Sequence, residues 1–164
     1  MTTTIKPIPD GFHTLTPYLV AQNAAQALEF YKKAFDASEL FRLDAPGGRI
    51  AHAEFKIGDS IFMLADENPQ CAEISPKTLG GSPVKLHLYV TDVDTVFASA
   101  IKAGATEIMP PTDQFWGDRM GAVTDPFGHH WLIATHIEDI NPGELQGRME
   151  AFFAAQAGCT GQPG

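Results

Sequence analysis

"GRIAHAEFKIGDSIFMLA" (Gly48–Ala65) and "DRMGAVTDPFGHHWLIA" (Asp118–Ala134) decide how this chain folds, because both read strand, tight turn, strand. Arg49 is answered by Arg119 and Gly58 by Gly128, each seventy positions on. Upstream of each stretch lies a helix signature. Asn23 and Gln26 read as an N-cap and its capping-box partner, with Ala27, Leu28, Tyr31, Ala34 and Phe35 on one helical face. Asp92 caps the second helix, Val93, Val96, Phe97, Ala100 and Ile101 form its apolar face, and Gly104 ends it. The helix exits match too, Ala37–Leu40 ("ASEL") against Ala105–Ile108 ("ATEI"), sixty-eight positions apart. Each helix follows a short alternating strand, "TPYLVA" (Thr16–Ala21) or "KLHLYV" (Lys85–Val90).

The order strand–helix–strand–strand–strand therefore occurs twice in register. The expected class is α+β: two tandem βαβββ modules forming curved mixed sheets around a central cavity, plus a C-terminal helix, all in one domain over residues 1–164. Module one spans about 12–66, a linker about 67–83, module two about 84–137 and the closing helix about 142–157. In that helix Asn141 caps, Pro142 takes the first position and Glu144 completes a capping box. Leu145, Met149, Phe152 and Phe153 form its stripe, and Gly158 is the expected stop.

Bulk properties narrow the function. A net charge of −9 over 164 residues argues against nucleic acid, whose phosphates require a basic face. No apolar run approaches the roughly 20 residues that span a bilayer, so no membrane partner is expected. The N-terminus lacks a basic region followed by an apolar core, and Cys71 and Cys159 form no C-x-x-C; a cytoplasmic protein with reduced thiols is the expectation. Phosphate loops, nucleophile elbows and H-E-x-x-H helices are missing from the sequence.

A doubled βαβββ unit with "ALEFYKKAF" (Ala27–Phe35) and "DPFGHHW" (Asp125–Trp131) resembles the vicinal-oxygen-chelate superfamily, which includes glyoxalase I, bleomycin-resistance proteins and extradiol dioxygenases. "FHTLTPYL" (Phe12–Leu19), "FYKKAF" (Phe30–Phe35), "IAHAEFKIGDSIFMLADE" (Ile50–Glu67) and "DPFGHHWLIATH" (Asp125–His136) resemble its PhnB-like branch. The resemblance implies a homodimer. It also implies four metal ligands, on the first and last strands of each module. Laid on this chain, those positions fall on Thr16, Phe62, Lys85 and Leu132. Phe62 and Leu132 have no donor atoms and a protonated lysine repels a cation, so no cofactor is expected there, a divalent metal being possible only at a non-standard site.

Strand alternation then gives the expected lining of the cavity. His52 and Glu54 share an inward face, with Tyr18 and Phe62 beside them and Lys85, His87 and Tyr89 on the second module's first strand. Their counterparts on the later strand are Ala122 and Thr124. In "FWGDR", Trp116 is a candidate flat lid, with Arg119 as an anion contact or Asp118 as a cation contact; the alternative is that Trp116 packs on the other module and Asp118–Arg119 is a rim ion pair. His129, His130 and His136 read as metal ligands or as ordinary solvated or hydrogen-bonded histidines, and the adjacent His129 and His130 point opposite ways on a strand. Two readings stay open. One is a binder of a small organic molecule in the inter-module cavity. The other is a glyoxalase-like isomerase or lyase using His52 and Glu54 as acid and base or as a relocated metal site.

Overall fold

The structure, a computed structural model, describes residues 5–159. Module one comprises β1 (Tyr18–Ala21), α1 (Ala24–Phe35), β2 (Ser38–Ala45), β3 (Arg49–Ile57) and β4 (Ser60–Asp66). The linker carries a short α2 (Pro76–Leu79). Module two comprises β5 (Lys85–Tyr89), α3 (Val93–Ala103), β6 (Thr106–Asp113), β7 (Asp118–Thr124) and β8 (His130–His136), and α4 (Leu145–Cys159) follows. The sheets have the same topology, β1-β4-β3-β2 and β5-β8-β7-β6. In each the first strand pairs parallel with the last, and the remaining pairs are antiparallel. The doubled βαβββ order is thus the observed architecture.

Local chemistry sets the helices. The Asn23 side chain accepts from the Gln26 N–H at 3.0 Å, and Asp92 accepts from Thr95 at 3.1 Å. Gly104 closes α3 at φ 115, where its N–H reaches the Ala100 and Ile101 carbonyls. Asp36 takes the equivalent left-handed position after α1. The expected face of α1 is buried; on α3, Val93, Phe97 and Ala100 are buried, whereas Ile101 is exposed because it lies off the face that meets the sheet. The two helices pack against each other, and β7 approaches α3 so closely that a Cβ at Gly121 would stand 2.7 Å from the Phe97 ring. Only glycine fits there without a shift.

The modules repeat a further device that the sequence does not advertise. The Asp66 carboxylate, at the end of β4, accepts from the Ala24 N–H at 2.9 Å and from Ile50 at 2.6 Å. At the end of β8, the Thr135 hydroxyl accepts from the Val93 N–H at 2.9 Å and donates to the Val90 carbonyl. In both modules the last strand thereby satisfies a free N–H at the start of the helix.

One aromatic core serves both halves. Tyr31 stacks on Phe55 (ring centroids 5.1 Å apart), and Phe35 lies 4.6 Å from Trp131 of the other module. Asp125 polarises this core from within. Its Oδ2 accepts from the Tyr31 hydroxyl at 2.9 Å and from Trp131 Nε1 at 3.0 Å; its Oδ1 accepts from the Phe127 and His129 N–H groups, both at 2.9 Å. Burial opposes ionisation, but bonds from His129, Trp131 and the backbone prevail and hold this carboxyl below the usual range. The same environment drives the buried Tyr31 hydroxyl well above its ordinary value.

Register corrects one part of the alignment. Tyr18 pairs with Met63 and His87 with Leu132, so Leu132 corresponds to Met63 rather than to Phe62. Likewise Lys56 and Thr124 stand opposite the first residues of β2 and β6, which matches His52 to Met120 and Glu54 to Ala122. The cause is turn length: Ile57 pairs with Ser60 across a two-residue turn, while Asp125 and His129 close a three-residue one. One extra residue reverses the face of everything after it. Phe62 accordingly enters the core, 5.1 Å from Phe55 and 5.8 Å from Trp131 by ring centroids.

The linker is tethered. Ser75 is buried, caps α2 through Thr78, and its N–H donates to Glu67, which also accepts from the Thr78 hydroxyl. In the closing helix Pro142–Glu144 forms a separate 3-10 turn, in which the Asn141 side chain accepts from the Gly143 N–H and its backbone carbonyl from that of Glu144. The helix continues through Gly158 to Cys159, so Gly158 does not stop it. Phe152 packs 5.5 Å from Phe115, and Arg148 pairs with Glu138, while Phe153 is exposed. Among the described residues no helix is long and apolar enough to cross a membrane.

Candidate functional site

The expected inward residues divide into two groups on two sheets. On module one, the cross-strand pairs Leu43–His52 and Phe41–Glu54 place four side chains on the open face, with Met63 between Glu54 and Tyr18. His52 Nε2 lies 3.5 Å from Glu54 Oε1, and Nδ1 lies 3.5 Å from the Tyr18 hydroxyl. The His52 ring stands 5.8 Å from that of Tyr18 and 6.5 Å from that of Phe41. Burial first, and then the Glu73 charge, raise the Tyr18 hydroxyl above its ordinary value. The imidazole and carboxylate are half-buried, so water still reaches both. Such a pair can bind a polar group or move a proton to it.

Module two presents Lys85, His87 and Tyr89 along its exposed edge strand. His87 and Tyr89 lie 4.6 Å apart by ring centroids, and His130, opposite Lys85, is bonded to Thr124 at 3.0 Å. The dominant group here is Asp118, which is 3% exposed. It accepts from the Tyr89 hydroxyl at 2.9 Å and from Trp116 Nε1 at 3.0 Å, and bonds His136 Nδ1 at 2.8 Å. His136 Nε2 reaches Asp139 at 3.0 Å. Burial works against the Asp118 charge, but bonds from His136, Tyr89 and Trp116 outweigh it, and the carboxyl lies below its usual range. Asp118 and then Asp139 raise His136 in return, and the Asp118 bond raises Tyr89. The segment after β8 is fixed alongside: Ile137 and Glu138 both donate to the Gly117 carbonyl, and a side chain at Gly117 would collide with the Glu138 carbonyl.

Among the described residues, no hydrogen bond, ion pair or ring contact joins Tyr18, His52 and Glu54 to Lys85, His87 and Tyr89. A cleft of about 1010 Å³ does run between the modules, from Phe35 and Asp36 past the β3–β4 turn to His87, Tyr89 and His136. Of the expected lining, only His87 and Tyr89 border it. Phe62 is in the core, as described. Trp116 is no lid over the first group: its indole is committed to Asp118 and packs 4.9 Å from Phe115. Arg119 points to the helix layer, where Nε and Nη2 grip Asp94 at 2.8 and 2.9 Å and Nη1 takes Asp113. It is a rim ion pair, because odd-numbered residues of β7 face α3.

Asp118 and His136 form a candidate pair whose partnership sequence reasoning did not foresee. The signal existed: alternation from Met120 reaches Asp118, and from Leu132 and Ala134 reaches His136. Only the β7–β8 register, which sets Asp118 opposite His136, makes them partners. The donor set also decides how a metal would fare. In the observed register the four positions carry Thr16, Met63, Lys85 and Leu132, a hydroxyl, a thioether, an ammonium and a hydrocarbon, which do not fit a divalent cation.

Comparisons agree with this architecture. The family model described as the glyoxalase/bleomycin resistance protein/dioxygenase superfamily matches residues 11–133. An uncharacterised protein of Mycobacterium tuberculosis is 46% identical over 140 residues, covering 84% of this chain and 82% of its own. The structure of TioX from Micromonospora superimposes with a TM-score of 0.61 at 27% identity, over 75% of this chain and 98% of that one. The PhnB protein of Bacillus cereus shares the fold, with a TM-score of 0.58 at 22% identity over 75% and 99% of the two chains. With its doubled βαβββ modules and a family match over most of its length, the chain belongs to the glyoxalase/bleomycin resistance protein/dioxygenase superfamily.

Proposed function

We propose that this protein binds a small organic molecule in the inter-module cleft, with no metal at the usual four positions. The observation that carries the reading is the mouth of the cleft, where the imidazoles of His87 and His136 and the phenol of Tyr89 border about 1010 Å³ of space backed by Phe35 and Ile57. Asp118 fixes Tyr89 and His136 in place, which limits the ordering cost of binding. Titration with a set of small heteroaromatic amines and phenols, followed by amide chemical shifts, tests it. Saturable shifts over Leu88–Thr91 and Thr135–His136, weakened roughly tenfold by Tyr89→Phe, are expected from the loss of one hydrogen bond with its partner left unpaired. Shifts confined to other surfaces would refute it.

A second copy of the chain is the proposed partner. Tyr18, Phe41 and Leu43 are 44%, 47% and 52% exposed beside His52 and Glu54, and a second copy would cover them. Light scattering at micromolar concentration, on the protein and on Phe41→Glu, checks this. A cytoplasmic location is proposed as well, since the exposed Cys71 carries a free thiol.

The enzyme reading rests on a different observation, the imidazole and carboxylate of His52 and Glu54 at 3.5 Å on an open face beside Tyr18. In that case the pair acts as base and orienting acid, or as two ligands of a relocated metal. Isomerase assays on thiol adducts of 2-oxoaldehydes, with and without added zinc or nickel, separate this from binding. Activity that falls about a hundredfold or more in His52→Ala would establish it.

A further inference from the structure

A second cleft, of about 310 Å³, lies between β1, α2 and the start of β5, and it shares no lining residue with the inter-module cleft. Its walls are apolar, formed by Leu19, Ile74, Pro76, Leu79, Val84 and Leu86. Leu79 and Val84 stand 66% and 63% exposed at its rim. Two ionisable side chains border it, Tyr18 and His129, and of these only His129 is buried. His129 is 8% exposed, with Nδ1 3.3 Å from Asp125 Oδ2 and 3.4 Å from the Tyr31 oxygen. Its Nε2 has no hydrogen-bond partner among the described residues, yet no buried polar side-chain atom there lacks one. Nε2 is therefore not sealed off, on a residue that borders this cleft.

Asp125 determines what that nitrogen offers. Asp125 accepts from Tyr31, Trp131 and two backbone N–H groups, and an acceptor-only carboxylate 3.3 Å away favours a proton on the ring nitrogen that faces it, Nδ1. An imidazole whose single proton sits on Nδ1 leaves its lone pair at Nε2. From this we infer that the cleft is a ligand site for a small, mainly apolar molecule bearing one hydroxyl donor, a phenol or alicyclic alcohol, held by its O–H on His129 Nε2. The size agrees: about 150 Å³ houses one benzene ring, and this cleft has room for a ring with substituents. The buried hub gives the lone pair a fixed direction, which a solvated histidine lacks.

Phenol and toluene distinguish a hydrogen-bonding site from a greasy one. The protein labelled on its histidine ring nitrogens is titrated with each, and the His129 Nε2 resonance is followed with the amides of Leu19 and Leu86. Saturable phenol binding that moves Nε2, about fivefold or more tighter than toluene, is expected from one formed hydrogen bond. Equal affinity for the two, or no Nε2 response while the amides shift, overturns the proposal, as does the absence of any saturable shift. His129→Phe should abolish the preference for phenol. Should that variant fail to fold, Leu79→Ala at the exposed rim serves instead. It should weaken both molecules alike and leave the Nε2 response to phenol intact; a lost response would overturn the assignment.

Discussion

The two modules share strand order, helix caps and the bond from the last strand back to the helix start, yet their open faces carry different chemistry. Module one shows a loose, half-buried His52–Glu54 pair among exposed Phe41 and Leu43. Module two shows a buried carboxylate, Asp118, with Tyr89, Trp116 and His136 fixed around it. Backbone topology depends on the face that packs on the helices, so that face repeats. The opposite face meets solvent or a partner and is free to diverge.

Turn chemistry offers the sharpest way to test the comparison. Asp125 in the second hairpin turn is a buried hub, whereas Asp59 in the first is exposed and, among the described residues, its side chain bonds only Ser60. Asp125→Ala strands four donors and should cost about 3–5 kcal/mol, lowering the melting temperature by many degrees or preventing folding. Asp59→Ala should stay within about 0.5 kcal/mol. Similar losses in urea titrations would mean that the two turns are energetically alike.

The Asp66 and Thr135 devices make two bonds each, but Asp66 accepts both as a carboxylate, whereas Thr135 accepts one and donates one as a neutral hydroxyl. Asp66→Ala frees two buried N–H groups, those of Ala24 and Ile50, and should cost about 2–3 kcal/mol. Thr135→Ala frees one N–H, that of Val93, and the Val90 carbonyl, both from bonds to a neutral hydroxyl, and should cost about 1 kcal/mol. Inversion of that order in chemical denaturation would break the proposed equivalence.

Acidity provides a gentler probe of module two. His136 is raised in the folded chain, so its contribution is complete below about pH 6.5 and disappears as pH rises through the elevated value. Asp118 is lowered, so its contribution is complete above about pH 4 and disappears on acidification through the depressed value. Exchange of the Ile137 and Glu138 amides should therefore be slowest between those limits, after correction for intrinsic rates. His136→Ala should abolish the alkaline rise.

The smallest effect belongs to the first module's open face. His52→Ala removes a half-exposed pair at 3.5 Å and should change stability by about 1 kcal/mol or less. A large loss in thermal melts would assign the pair to the scaffold.

What was legible follows the same division. Asn23, Asp92 and Gly104 announce the helices because capping is local chemistry. The doubled order is legible because caps and strand exits recur in step. The partners of β4 and β8 were not legible, because Gly58 and Gly128 look equivalent while their turns differ by one residue, and that residue sends Phe62 inward. Asp118 and His136 stand far apart in sequence, and only sheet register joins them. Arg119 read as a groove residue because its partner Asp94 sits on a helix whose rotation over the sheet is set by packing around Gly121.

The bond from the Tyr31 hydroxyl to Asp125 runs from the first module's helix to the second module's turn, under a roof formed by Phe35 and Trp131. Its consequence is cooperative unfolding. Neither duplicate closes its own core, so separately expressed halves should remain unstructured until mixed. The intact chain should melt in one transition, with calorimetric and van't Hoff enthalpies in agreement. An ancestor with a single module would have needed a second copy to supply the missing wall, and fusion of two such copies would have made that requirement intramolecular.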